Sequence, residues 1–463
     1  MASSSEIYLQ LVELSGHIIA EGTWSATLRA NCLYQCAHLA NPGHQCRLLL
    51  GSWEITPITP LAALDLSLGT CIQVIWLSSS ASCIHSRRQA FAAFKADGSV
   101  VTWGGAGCSG DSSVVVPLLR EGVVKVCGSS NAFAAIKVDG SVVTWGNAGC
   151  GGDSSAVAQL LTEGVVQVCG SRKAFTAIKA DGSVVTWGNS GCGGDSSGVA
   201  SLLTEGVVQV CGSRMAFAAI KADGSVVTWG NAGCGGDSSA VAPLLREGVI
   251  KICRSCKAFA VIKVDGSVVT WGNASCGGDS SAVASLLTEG VVQVCEGHFS
   301  FAAIKEDGSV VTWGNAGCGG DSSAVASLLT EGVVQVCEGH FSFAAIKADG
   351  SVVTWGNAGC GGDSSAVAPL LTEGVVQVCG SKKAFAAITV DGSVVTWGNA
   401  GYGGDSSAVA PLLREGVVQV CGSSQAFAAI KADRSVVTWG SAACGGDSSA
   451  VAPLLRDGVV QSL

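Results

Sequence analysis

A tryptophan followed by glycine returns every 42 residues, at Trp103, Trp145, Trp187, Trp229, Trp271, Trp313, Trp355, Trp397 and Trp439. Nine units therefore follow one another with no net insertion or deletion, each holding a close copy of Asp139-Gly140-Ser141-Val142-Val143-Thr144-Trp145-Gly146. A unit of this length cannot bury its apolar face alone and must stack on its neighbours, as in a solenoid, a propeller or another array. Function is then to be sought on the surface of the array, where the copies differ.

The repeats occupy most of the 463 residues and leave about eighty for a separate N-terminal domain. With 64 Gly, 8 Pro and 48% hydrophobic residues, the composition suits many short strands and turns and not disorder. The net charge of −9 argues against a protein that grips phosphate backbones or an anionic membrane surface, so neither nucleic acid nor membrane is expected as a partner. Met1-Ala2-Ser3-Ser4-Ser5-Glu6 lacks the basic start and apolar core of a secretion signal, and no apolar run is long enough to span a bilayer. A cytoplasmic or nuclear chain is expected, and its 22 cysteines read as reduced thiols.

In the N-terminal segment, Ile7 to Val12 and His17 to Ala20 read as a hairpin about a turn at Ser15-Gly16. Thr23 to Leu39 reads as a long helix, with Leu28, Cys32, Cys36 and Leu39 at helical spacing before Asn41-Pro42-Gly43. A strand at Arg47 to Gly51, a short helix at Pro60 to Leu66 and a closing strand at Cys71 to Trp76 follow. This order resembles ubiquitin-like domains, most specifically from Gln45-Cys46-Arg47-Leu48-Leu49-Leu50-Gly51 to Leu61-Ala62-Ala63-Leu64-Asp65-Leu66. The resemblance implies a small α+β domain over residues 1–77, with a partner-binding apolar patch centred near Leu49. No Gly-Gly follows Leu77 and no lysine precedes Lys95, so the segment is neither a conjugated modifier nor a site of chain building. A Ser-rich linker over 78–86 and the repeat array over 87–463 complete the expected division.

Within one unit, Val123 to Gly128 reads as strand a, Ala132 to Lys137 as strand b and Val142 to Trp145 as strand c, with a tight b/c turn at Asp139-Gly140. The near-continuous apolar character of strand c predicts burial on both faces. The stretch from Gly151 to Gly164 fits either a one-turn helix, with Asp153 or Ser154 as cap and Val157, Leu160 and Leu161 on one face, or an irregular outer strand. Proline at the position of Gln159 in five units (Pro117, Pro243, Pro369, Pro411, Pro453) restricts both readings.

The sequence Val-Val-x-Val-Cys-Gly, then Ala-Phe-x-Ala-Ile, then Asp-Gly-Ser-Val-Val-Thr-Trp-Gly, as at residues 165 to 194, resembles the repeats of the regulator of chromosome condensation family. That resemblance implies a β-propeller, so the expected fold is mainly β and propeller-like, with an open β-rich superhelical solenoid as the alternative. The units here are shorter than is usual in that family, and the Ser or His before strand b is mostly missing. Val459 to Leu463 reads as a strand a with no unit after it, able to complete the first blade and remove exposed edges.

Cysteine recurs in strand a (Cys127 to Cys421) and in the Gly-rich loop (Cys108 to Cys444), and Tyr402 replaces one loop cysteine, so strict pairing is not required. Small buried side chains are the expected role. Two adjacent Cys-x-x-His pairs, Cys295 with His298 and Cys337 with His340, have the residue types for zinc, although strand alternation is expected to part each Cys from its His, and no metal is assigned. The loop aspartates (Asp153, Asp195, Asp237) lack the clustered oxygens of a calcium loop and read as caps. Catalysis needs different groups converging on one place, whereas these units repeat the same groups, so no catalytic residue, no cofactor and no enzymatic activity is expected.

The units disagree most between strands a and b: Ser130-Asn131, Arg172-Lys173, Arg214-Met215, Cys256-Lys257, His298-Phe299, His340-Phe341, Lys382-Lys383 and Ser424-Gln425. Equivalent turns of stacked units line up along one rim, and Arg172, Lys173, Arg214, Met215, Lys257, His298, Phe299, His340, Phe341, Lys382 and Lys383 give it the make-up of a protein contact surface. The expected function is a protein-interaction scaffold in which the array and the ubiquitin-like domain each bind a protein partner. A substrate-recognition or regulatory component of a ubiquitin ligase system, suggested by a likeness to the propeller part of HERC-type ligases, is the alternative; a guanine-nucleotide exchange regulator is a third.

Overall fold

The computed structural model describes residues 6–13, 17–26, 28, 30, 32–33, 36–37, 45–51, 53–55, 59, 61–77, 83–87, 90–94, 98–104, 112–433 and 435–448. The expected turn at Ser15-Gly16 and the closing strand at Val459 to Leu463 lie outside them, as do residues 78–82 of the expected linker. The chain packs as two compact bodies, residues 1–223 with 227–231, and residues 224–226 with 232–461.

The first body opens on a five-stranded sheet formed by β1 (Glu6–Glu13), β2 (Ile18–Ser25), β3 (Gln45–Leu50), β4 (Trp53–Ile55) and β5 (Cys71–Leu77), in the order β2-β1-β5-β3-β4. β1 pairs antiparallel with β2 and parallel with β5, and β3 pairs antiparallel with β5. Leu9, Leu11, Leu48, Leu50, Ile72 and Val74 point to one face and close over Ala30, Leu33, Ala37 and Leu61. The helix expected from Thr23 does not begin there: Thr23, Trp24 and Ser25 extend β2, with Glu6 opposite Ser25. β-branched and aromatic side chains at that point favour the hairpin over a first helical turn. Helical residues are found at 32–33 and 36–37, with Leu33 and Ala37 buried, whereas Leu28, expected on the buried stripe, is exposed. Strand β4 is absent from the sequence reading because Trp53–Ile55 is too short to show alternation.

The repeats form nine three-stranded sheets, four in the first body and five in the second, each in the order a-b-c with strand b in the middle. Cys83–Arg87, which begins in the stretch expected as linker and ends at the first residue of the expected array, is strand a of the first sheet and pairs with Ala90–Phe94. In the unit that follows, strands a (Val123–Gly128), b (Ala132–Lys137) and c (Val142–Gly146) fall where the sequence places them. Strand b, and not strand c, is the one buried on both faces: Ala132 to Ile136 are all buried, while Val142 and Thr144 of strand c are half-exposed. The apolar run of strand c reflects β propensity at an edge, not central burial.

Within each body, each repeat sheet lies face to face with the next. Ala132, Ala134 and Ile136 of one strand b cover Phe175, Ala177, Val185 and Trp187 of the following unit, and Ala302 and Ile304 cover Phe343, Ala345 and Trp355 in the second body. A large aromatic face thus meets a small alanine face, an alternation that lets facing layers interdigitate. Phe175 and Trp187 are cross-strand partners with ring centroids 5.4 Å apart, and the same pair recurs in each later unit. The indole Nε1 of Trp187 donates to the Gly151 carbonyl of the preceding unit at 3.0 Å, as Trp313 does to Gly277 and Trp355 to Gly319. The recurring tryptophan thus joins neighbours, by packing and by a buried hydrogen bond. Gly151 has φ 89, and a Cβ there would stand 2.6 Å from the Phe175 ring, so this position admits no side chain.

The segment read as helix or strand is a short 3-10 helix, Ser155–Leu160, and the equivalents run through the prolines, as in Ser239–Leu245 with Pro243. Of the three apolar residues expected on one face, Leu161 is buried, Val157 is half-buried and Leu160 is 52% exposed, because the tighter 3-10 turn does not keep all three on one stripe. Asp153 Oδ1 accepts the Ser155 amide at 2.9 Å, while Ser154 spends its hydroxyl on Thr144.

Candidate functional site

The a/b turns are the place where uniform units carry unlike side chains. Their backbones hydrogen-bond from one unit to the next: Ser130 N–H donates to Arg172 O and Arg172 N–H to Arg214 O at 2.9 Å in the first body. In the second body Cys256 N–H donates to His298 O at 2.8 Å, His340 N–H to Lys382 O and Lys382 N–H to Ser424 O, both at 3.2 Å. Each turn is also tied to its own unit, because the residue before strand b accepts from the amide after strand c, as Phe299 O does from Asn315 and Lys383 O from Asn399. Two columns result, one residue apart along the chain.

The columns are crowded at their base. In most units strand a ends in glycine, and a Cβ at Gly170 would stand 2.7 Å from Gly128 O of the preceding unit. Four units depart from this: strand a ends in Arg87 and Arg254 in two of them, and the other two read Cys-Glu-Gly-His-Phe-Ser where most read Cys-Gly-Ser-x-x-Ala. Glu296 takes the glycine position, and its Oε1 accepts the Arg254 amide of the neighbouring unit at 3.1 Å; burial pushes this carboxyl above its ordinary range. The displaced serine is recovered further on: Ser171 and Ser255 donate to the carbonyls of Cys192 and Cys276, and Ser300 and Ser342 donate instead to Cys318 and Cys360, at 2.6 and 2.7 Å. The hydroxyl is kept while its place in the chain moves by three residues.

In the second body the inner column places His298 against His340, rings parallel within 10° and centroids 4.3 Å apart. The outer column places Phe299 beside Phe341 at 6.1 Å. All four are half-exposed, as are Lys257, Lys382 and Lys383. Partial burial, with His298 and Lys382 nearby, lowers the His340 pKa to about 4. Lys383 Nζ sits 5.0 Å over the Tyr402 ring. In the first body Arg172 and Met215 are half-buried, whereas Lys173 and Arg214 are exposed. Leu49 is not part of this rim. It lies on β3 between buried Leu48 and Leu50, on the opposite face, half-buried and across from Glu54 and Gln73.

The Cys-x-x-His pairs do not converge. Cys295 and Cys337 are buried, their thiols against the carbonyls of Val336 and Val378, and burial pushes both pKa values up to about 12. Among the described residues no group of three or more His, Cys, Asp or Glu is placed to hold a metal ion. The loop carboxylates are engaged within their own loops: the amide and hydroxyl of Ser197 hold Asp195 below its usual range. Sequence reasoning missed Tyr402 and Glu296 as members of the rim. Both were visible as departures from the repeat, Tyr402 for a loop cysteine and Glu296 for the strand-end glycine, but the position of Tyr402 beside Lys383 arises from the fold of their shared unit, and that of Glu296 beside Arg254 from stacking.

No protein-family model and no curated protein sequence matches the chain. Among solved structures, human WBSCR16 is similar at 14% identity with a TM-score of 0.34, covering 80% of this chain and 89% of that one. Prp20p from Saccharomyces cerevisiae is similar at 14% identity and a TM-score of 0.33, covering 73% and 91%. The CRINKLY WD40 ectodomain of the Arabidopsis thaliana receptor kinase ACR4 is similar at 18% identity and a TM-score of 0.31, covering 58% and 93%. At TM-scores of 0.31 to 0.34 these likenesses transfer no site and no activity, and the architecture stands on the nine sheets themselves.

Proposed function

We propose that this chain is a non-enzymatic protein-interaction scaffold whose a/b rim takes one protein partner and whose N-terminal domain takes another. One observation carries the reading: the positions where near-identical units disagree are also those that stand in two half-exposed columns of basic and aromatic side chains. Half-exposed aromatics beside cations, held by a hydrogen-bonded backbone, have the composition and rigidity of a protein contact surface. Residues 1–77 as a ubiquitin-like domain, with Leu49 on its partner face, are supported by the sheet order β2-β1-β5-β3-β4 and the parallel pairing of β1 with β5. A cytoplasmic or nuclear location goes with this reading; no helix of the described residues is long and apolar enough to cross a membrane.

The test is quantitative partner capture by the full chain. Changing the a/b turn residues to serine is expected to abolish capture by the array, whereas changing the exposed b/c turn residues Val138, Val264 and Val390 to serine is expected to leave it intact. Unchanged capture by the rim variant, with the fold retained by circular dichroism, would remove the rim from the account. Changing Leu49 to Ala probes the second partner independently.

A further inference from the structure

The outer column of the second body has a repeat distance and a charge pattern that together define a ligand. Its first four members in chain order are Lys257, Phe299, Phe341 and Lys383, one from each of four consecutive units, and Gln425 follows. The Phe299 and Phe341 rings are 6.1 Å apart, and two residues of an extended chain advance about 6.6 Å. An extended peptide running along the column would therefore set every second side chain against a new unit. Its intervening side chains would face solvent.

Charge selects among such peptides. The ionised groups on the two columns here are Lys257, Lys382 and Lys383, all basic, on a chain whose net charge is −9. Of the acids that end the nearby strands, Glu296 is half-buried and already bonded to the Arg254 amide, while Glu338 is exposed and is the one acid beside the three lysines. Lys383 is held over Tyr402, which keeps its ammonium at the end of the column. Phe299 packs against the core of its unit while remaining half-exposed, so the ring is a fixed anchor and not a mobile one. Rigid anchors flanked by cations are a preorganised surface, which lowers the ordering cost of binding.

Resting on the rim assignment made above, we propose that Lys257, Phe299, Phe341 and Lys383 bind an extended acidic peptide with a carboxylate at i, aromatic or aliphatic side chains at i+2 and i+4, and a carboxylate at i+6. Single-stranded nucleic acid, the other ligand that combines anions with flat rings, fits less well. The imidazoles are stacked on each other at 4.3 Å and the phenylalanines on each other at 6.1 Å, which leaves no slot for a base between them.

The experiment titrates full-length protein into fluorescein-labelled Glu-Thr-Phe-Thr-Phe-Thr-Glu, at low and at high salt. Controls are the register-shifted Glu-Thr-Phe-Phe-Thr-Thr-Glu, a version with Lys for Glu, and an oligothymidine of similar length. Saturable binding of the first peptide is expected, weakened by salt and reduced at least about tenfold by the register shift and by Lys257→Glu with Lys383→Glu. Equal binding of both registers, indifference to the charge reversal, or preference for the oligothymidine would overturn the proposal. Phe299→Ser with Phe341→Ser is expected to abolish binding; because the Phe299 ring also packs against the core, the fold of the variant is checked by thermal melting, and the peptide controls stand without it. If no peptide binds while the serine rim variant still loses its captured partner, the ligand chemistry falls and the rim assignment survives. If capture is also unchanged, both fall.

Discussion

Ser300 and Gly297 form a coupled pair that exists only in the two units with the Cys-Glu-Gly-His-Phe-Ser sequence, and the coupling is measurable. Ser300 is fully buried and its hydroxyl reaches Cys318 O at 2.6 Å. Ser300→Ala removes the donor and leaves that carbonyl without it, a loss of about 1–3 kcal/mol. Gly297→Ser restores a serine where other units carry one, but a Cβ there meets Phe343 Cζ at 2.6 Å and both Ser300 O and Oγ at 2.8 Å, so alone it costs about 1–3 kcal/mol by overpacking. In the double variant the Ser300 Oγ contact is gone, and the new hydroxyl stands where Ser255 uses its own to reach Cys276 O at 2.6 Å. The double variant should then fall short of the sum of the single losses by about 1 kcal/mol or more. Repeat arrays need not unfold in one step, so the readout is native-state hydrogen exchange of the Ala302 and Thr312 amides in the full chain. Losses that add within about 0.5 kcal/mol would refute the idea that one hydroxyl has been exchanged between two positions.

Three further outcomes follow from the same packing. Trp313→Phe, which deletes the bond to Gly277 O and part of a buried ring, should cost about 1–3 kcal/mol and show as faster exchange across that unit boundary. Gly170→Ala places a methyl 2.7 Å from Gly128 O and should destabilise by about 1–3 kcal/mol, whereas Gly198→Ala meets nothing within 4 Å, matches the alanine of other units and should be neutral or slightly stabilising by thermal melting. The lowered His340 pKa, about 4 against an ordinary 6.5, means that the unfolded chain binds the proton first. Its contribution is complete at neutral pH and is lost as pH falls from about 6.5 to about 4; allowing for partial exposure it is roughly 1–2 kcal/mol, and His340→Gln should flatten the pH dependence of melting in that window.

The unit was legible where a local rule decides it. Val-Val-x-Val-Cys-Gly, Ala-Phe-x-Ala-Ile and Val-Val-Thr-Trp-Gly read as strands and are strands, and Gly140 takes the positive φ, 77, that the b/c turn needs. The variation of the a/b turns was legible because turns compared across units reveal where the copies disagree; that they form a contact surface is the proposal made above. What could not be read was set by neighbours. Burial of strand b on both faces follows from its central place in the sheet, which an apolar run does not encode. Leu160 is exposed and Leu161 buried because a 3-10 turn, shaped by packing against the following sheet, replaces the expected periodicity. The start of the N-terminal helix was misplaced because the pairing of Glu6 with Ser25 is a long-range contact. The serine exchange between positions 297 and 300 is visible in sequence only as two substitutions, and its meaning lies in a carbonyl 18 residues away.

The claim that recognition belongs to the stacked a/b turns is tested most directly by hydrogen exchange of the full chain, alone and saturated with Glu-Thr-Phe-Thr-Phe-Thr-Glu. In the free chain the Cys256, His340 and Lys382 amides, though in surface turns, should exchange slowly because each bonds to the next unit. With peptide bound, added protection should fall on residues 256–257, 298–299, 340–341 and 382–383 and leave the b/c turns unchanged. Rapid exchange of those amides in the free chain, or protection that falls on the b/c turns or nowhere, would contradict the account.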